Sequence, residues 1–145
     1  MQVKDLYFLE NGSIYDPFSK KSSSGSILIK SGIIKEIGNI SCPENAIRIN
    51  CKDKIISPGF IDIHTHFREP GREDKETLET GANAAIAGGY TRVCVMPNTD
   101  PPIDTPELIN FIIEKSKNLP IEILPIGTIT IGQKGQELSE YGKMA

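Results

Sequence analysis

The sequence predicts an α/β fold, and three observations lead to it. Apolar, β-branched runs at 60–67, 90–96 and 121–131 have strand composition. Two stretches of helical composition, KETLETGANAAIA and PELINFIIEKS, separate them. Glycine, proline and threonine stand at the joins, as at Gly88-Gly89 and Thr105-Pro106. Strand and helix in repeated alternation put the strands parallel, joined by crossovers. Such units build either a small open sheet or the first part of an eight-unit barrel. The last residues have helical composition, and a chain stopping inside a helix favours the barrel.

Residues 1–57 read as short strands. Val3 to Leu9 is one, Asn11-Gly12 a turn, and Ser13 to Tyr15 the next. Ser26 to Ile37 is broken at Ser31-Gly32, which predicts a tight hairpin. Ala46 to Asn50 and Lys54 to Ile56 supply two more strands, and the polar run KKSSSG at 20–25 reads as an exposed loop. Beyond Pro58, Phe60 to Phe67 is a strand and Asp74 to Ala87 a helix that Gly88-Gly89 closes. The acids Glu73, Asp74 and Glu76 suit a solvated first helical turn. Tyr90 to Met96 is again a strand. Thr105 as N-cap and Pro106 at the first helical position start a helix with Leu108, Ile109, Ile112 and Ile113 on one face. Ile121 to Ile131 is a third strand, and a third helix is expected from Gln136.

Composition bounds the function. A chain of 145 residues with net charge −3 carries no basic cluster of the kind that binds nucleic acid or a membrane surface. Cys42, Cys51 and Cys94 are odd in number and widely spaced, so they read as reduced thiols, and the charged amino terminus lacks the apolar run of a signal peptide. A soluble, cytoplasmic protein is expected.

The chemistry concentrates at GFIDIHTHFREPG, residues 59–71, which holds both histidines of the chain. Scattered at random, two histidines fall at this spacing about once in seventy placements. Strand alternation predicts Asp62, His64, His66 and Arg68 on one face and Ile61, Ile63, Thr65 and Phe67 on the other. Four polar groups inside a parallel sheet are costly unless they bind something. Imidazoles two residues apart on a strand can converge on one cation, with Asp62 orienting a ligand from behind. A bare HxH reads more readily as two satisfied core histidines or an exposed pair with no ligand; the polar face, the Pro58-Gly59 turn before it and the loop after it turn the reading toward metal. Arg68 falls where the strand runs out to the loop rim, suited to a substrate carboxylate, and alone it would read as a surface ion pair with Glu69 or Glu73. Asn98 follows the second strand at the same rim and, alone, would read as a turn residue.

The runs SPGFIDIHTHFREPG and ETLETGANAAIAGGYTRVCVMPNTDPP resemble the amidohydrolase superfamily and, within it, the dihydroorotases. The resemblance covers the whole chain but about the first third of a family member. It implies part of a small β-sandwich over residues 1–57 and the first three βα units of a (β/α)8 barrel over 58–145. It implies His64 and His66 as metal ligands, and His66, Arg68 and Asn98 as substrate-binding residues. It implies one or two Zn2+ ions per complete subunit and a reversible interconversion of N-carbamoyl-L-aspartate and (S)-dihydroorotate in pyrimidine synthesis. Further ligands and the catalytic aspartate are expected beyond Ala145, so the 145-residue piece by itself is expected to be inactive. A homo-oligomer is the expected assembly.

Two rivals follow. One is another cyclic amidohydrolase, of the allantoinase or dihydropyrimidinase type; the resemblance sets Arg68 against it, since those relatives lack a matching arginine after HxH. The other is a noncatalytic dihydroorotase-like scaffold subunit, which would have no reason to keep a polar strand face.

Overall fold

A computed structural model describes residues 6–144. The chain divides into two compact units, with the boundary between Pro58 and Gly59.

The first unit is one five-stranded sheet. Its strands are β1 (Leu6–Asp16), β2 (Lys21–Lys30), β3 (Ile33–Gly38), β4 (Ile47–Asn50) and β5 (Ile55–Ile56). The order is β3-β2-β1-β4, with β5 also on β1. Antiparallel pairing joins β1 to β2 and β2 to β3, whereas β4 and β5 run parallel to β1. The hairpin expected at Ser31-Gly32 is present, both residues at positive φ. Two expectations are corrected. Asn11-Gly12 is not a turn but a bulge within a continuous strand, where Asn11 has φ 64° and a Cβ on Gly12 would lie 2.7 Å from Ile56. KKSSSG is not a loop, because ladder bonds to β1 hold Lys21 to Gly25 as strand, exposed from Lys21 to Ser24. Val3 to Asp5 of the first expected strand lie outside the described residues.

The second unit is a three-stranded parallel sheet, β6 (Phe60–Thr65), β7 (Tyr90–Val95) and β8 (Glu122–Pro125), in sequence order. Helices α1 (Leu78–Ala87) and α2 (Pro106–Ser116) connect them. Phe67, Leu78, Ala82, Val93, Val95, Ile103, Ile109 and Ile112 form the core with Ile121 and Ile123. Thr105 caps α2 and Pro106 opens it as expected; Ile109 and Ile112 are buried, Leu108 packs against the core, and Ile113 faces out.

Helix α1 starts later than its composition implies. Thr77 is the N-cap and exchanges side-chain bonds with Thr80 in a capping box, so Asp74 to Glu76 precede the helix. Gly88 caps its end and Gly89 takes φ 84°, the left-handed exit expected. The third strand ends at Pro125 rather than Ile131. A 3-10 turn (Ile131–Gln133) and a bridge between Thr130 and Leu138 follow, and α3 covers only Tyr141–Met144, not the stretch from Gln136. Glycines 132 and 135 at positive φ account for that, since they favour turns over helix. No helix among the described residues is long and apolar enough to cross a membrane.

Candidate active site

Strand β6 is not a regular ladder. Asp62 pairs with Val93 and Thr65 with Val95, so three residues of β6 span two of β7. The bulge breaks the alternation assumed from the sequence. Asp62 is half-buried and lines a small cavity under α1 with Thr65 and Phe67, while Ile61 and Ile63 are 55% and 75% exposed. Asp62 therefore does not share the face of the imidazoles, and the isoleucines are not the helix-packed side. The Asp62 carboxylate accepts the backbone N–H of His64 at 3.0 Å, a local bond that fits the bulged backbone. It thus holds the backbone of His64 rather than its ring.

Past the bulge, His64 and His66 are both exposed and their rings turn toward each other. Nε2 of one lies 3.2 Å from Nε2 of the other, with ring centroids 5.0 Å apart. Two imidazole nitrogens sharing a tetrahedral zinc with bonds of about 2.0–2.1 Å stand about 3.3–3.4 Å apart. The donor pair therefore fits one zinc ion. Among the described residues no group of three His, Cys, Asp or Glu side chains gathers around a metal position. On its other side, His66 Nδ1 is 2.8 Å from Asn98 Oδ1.

The loop after β6 sets Arg68 apart from its acidic neighbours. Glu69 is 2% exposed, accepts the Leu78 N–H at 2.9 Å and pairs with Lys115 of α2. Glu73 accepts the Gly71 N–H at 3.0 Å, and that bond holds its carboxyl below the usual glutamate range. Arg72 and Asp74 pair with each other, which lowers the Asp74 carboxyl and raises the Arg72 guanidinium. The surface ion pair with Glu69 or Glu73 does not form. Arg68 is half-buried, and its guanidinium has no hydrogen-bond or ion-pair partner among the described residues. An unpaired, partly desolvated guanidinium suits an anion.

The rim loops are tied to one another through the backbone. Asp100 N–H donates to Pro70 O at 3.1 Å, and Gly71, at φ 99°, approaches so closely that a Cβ would lie 1.8 Å from Asp100 O. Met96 N–H reaches Thr65 O at 2.8 Å. Behind them, Thr128 N–H donates to Ile103 O at 2.8 Å and Asp104 accepts the Gly132 N–H at 2.8 Å, joining the third loop to the second. Sequence reasoning missed Glu69 and Gly71 as the parts that fix this rim. An acid and a glycine in REPGRED carry no mark of burial or close approach.

A parallel βα sheet with polar side chains gathered at one loop rim defines an α/β scaffold of the kind that binds ligands beyond its strand ends, and comparison with known proteins narrows it. The dihydro-orotase-like family model matches residues 53–145, and the chain belongs to that family. The dihydroorotase of Aquifex aeolicus is 45% identical over 135 residues, covering 92% of this chain and 32% of that protein. The dihydroorotase of Clostridium acetobutylicum is 42% identical over 134 residues, covering 92% and 32%. The chain thus spans about a third of the length of these curated relatives. Among solved structures, L-hydantoinase (dihydropyrimidinase) from Arthrobacter aurescens superposes with TM-score 0.73 at 25% identity, over 86% of this chain and 28% of the other. D-hydantoinase (dihydropyrimidinase) from Thermus sp. gives TM-score 0.71 at 25% identity, over 95% and 30%. The fold is that of the hydantoinase and amidohydrolase type.

Proposed function

We propose that this chain is a metal- and substrate-binding segment of a zinc-dependent dihydroorotase, interconverting N-carbamoyl-L-aspartate and dihydroorotate in cytoplasmic pyrimidine synthesis. The observation that carries it is the convergence of two imidazole Nε2 atoms at 3.2 Å, with an uncommitted guanidinium two residues further on. In this reading β6, β7 and β8 with their helices are the first βα units of a (β/α)8 barrel, and residues 1–57 are part of a small β-sandwich. The sequential parallel order and the likeness to hydantoinases support it.

His64 and His66 hold the metal through Nε2, and His66 also borders the substrate. Bound zinc supplies Lewis acidity, which acidifies water and polarises a carbonyl. Arg68 binds the dihydroorotate carboxylate through paired N–H donors, and Asn98 adds amide donors beside it, so the ring is held in one orientation for attack. Two imidazoles are fewer than the three protein ligands usual at a catalytic zinc, so the 145-residue chain alone does not turn over substrate.

A hydantoinase-type activity is the second reading, favoured by the likeness to solved hydantoinase structures. The test replaces the matching third of the A. aeolicus relative with these 145 residues and assays the folded chimera on dihydroorotate and on hydantoin. Dihydroorotate hydrolysis that His64→Ala or Arg68→Ala reduces about a hundredfold or more is expected, from loss of a ligand or of substrate orientation. Preference for hydantoin, or indifference to Arg68→Ala, overturns the assignment. A folded chimera that neither binds zinc nor acts on either compound favours a scaffold role.

A further inference from the structure

We propose that Asn98 is a positioning residue for the metal as well as a substrate contact, because its amide oxygen fixes the tautomer of His66. The inference deepens the zinc reading above and rests on it for its consequence, though not for its geometry.

Asn98 Oδ1 lies 2.8 Å from His66 Nδ1. An amide oxygen only accepts, so Nδ1 carries the hydrogen, and a neutral imidazole with N–H at Nδ1 has a bare lone pair at Nε2. That is the nitrogen turned toward His64. Two bare lone pairs 3.2 Å apart repel each other. A cation between the rings removes that repulsion, and His64 Nδ1, without a partner among the described residues, is free to carry the hydrogen of its own ring. Only His66 is committed in advance. The amide nitrogen of Asn98, also without a partner, is left with two donors and so favours an acceptor such as a carboxylate. One side chain thus orders a metal ligand through its oxygen and offers its nitrogen to the substrate.

The test is direct because the chain has two histidines. Long-range 1H–15N spectra of the metal-free chain, recorded well above the ordinary imidazole pKa of about 6.5, report which ring nitrogen bears hydrogen. His66 is expected almost wholly as the Nδ1–H form. Asn98→Ala should let it drift to a mixture, while Asn98→Asp, which keeps the acceptor and removes the donors, should restore it. Zinc affinity, read by competition with a chromophoric chelator, should fall about tenfold in Asn98→Ala, as for loss of a group that orients a ligand, and return to wild type or above in Asn98→Asp. A bare Nδ1 in the wild type overturns the proposal, as does an unchanged tautomer or unchanged zinc affinity in Asn98→Ala. A wild-type chain that shows the expected tautomer yet takes up no zinc overturns the zinc reading, and with it the metal role of Asn98, leaving the hydrogen bond established.

Discussion

Arg68 and Glu69 are adjacent in the chain and have divided the work of the loop between them. Glu69 turns inward, is 2% exposed, and ties the loop to the first turn of α1 and to Lys115. Lys115 in turn lies 5.5 Å over the Phe111 ring. Arg68 is left without a carboxylate partner among the described residues. Removing a buried acceptor strands its donors, so Glu69→Ala should cost about 1–3 kcal/mol, read as a lowered denaturant midpoint. The same loss of stability is not expected from Arg68→Ala, since no described contact is lost with it. HxH, the following arginine and the asparagine beyond the second strand marked the candidate residues, and the structure joins His64, His66 and Asn98 in one chain of polar contacts. That neither neighbouring acid would pair with Arg68 was not legible, because burial of Glu69 is decided by Leu78 and Lys115, nine and 46 positions away.

At the scale of the elements, period and punctuation recovered most of the molecule. Thr105-Pro106 and Gly88-Gly89 mark helix ends by local chemistry, and the structure has both. Strand β6 is the instructive departure. Alternation presumes one residue opposite one residue, and the inserted residue between Asp62 and Thr65 reverses the parity. Local preference alone cannot report it, since the bulge exists only against β7. Its one trace in the sequence is Asp62 itself, a short acceptor able to bond two residues ahead. Helix α1 shows the same dependence on a partner. A Cβ at Gly81 would lie 2.5 Å from the Phe67 ring, so the helix can approach this loop only with glycine there. Gly81→Ala should therefore destabilise by about 1–3 kcal/mol despite the better helix propensity of alanine, measured by chemical denaturation. A stabilised Gly81→Ala would show that α1 has room to move away.

At the scale of the whole chain, apolar surface is unevenly distributed. In the second unit Ile61, Ile63 and Ile129 are 55%, 75% and 75% exposed, and β6 pairs only with β7 among the described residues. In the first, Ile33, Ile34, Ile37 and Ile55 are each more than half exposed. An open parallel edge beside exposed isoleucine invites another chain. The 145-residue chain should self-associate as its concentration rises, seen by sedimentation velocity, and Ile63→Lys should weaken that association; a strictly monomeric chain would contradict it. The α/β class was readable from the order of strands and helices. The extent of the third unit was not, because glycines 132 and 135 and the Thr130–Leu138 bridge compete with a continuing strand and a long helix.

Gly71 has a further consequence for anyone redesigning this rim. Its backbone lies against the carbonyl of Asp100 with no room for a side chain, so the stretches bearing Arg68 and Asn98 are welded along a seam. A graft meant to change what this rim holds must carry both stretches together as one cassette. Swapping either alone leaves mismatched halves.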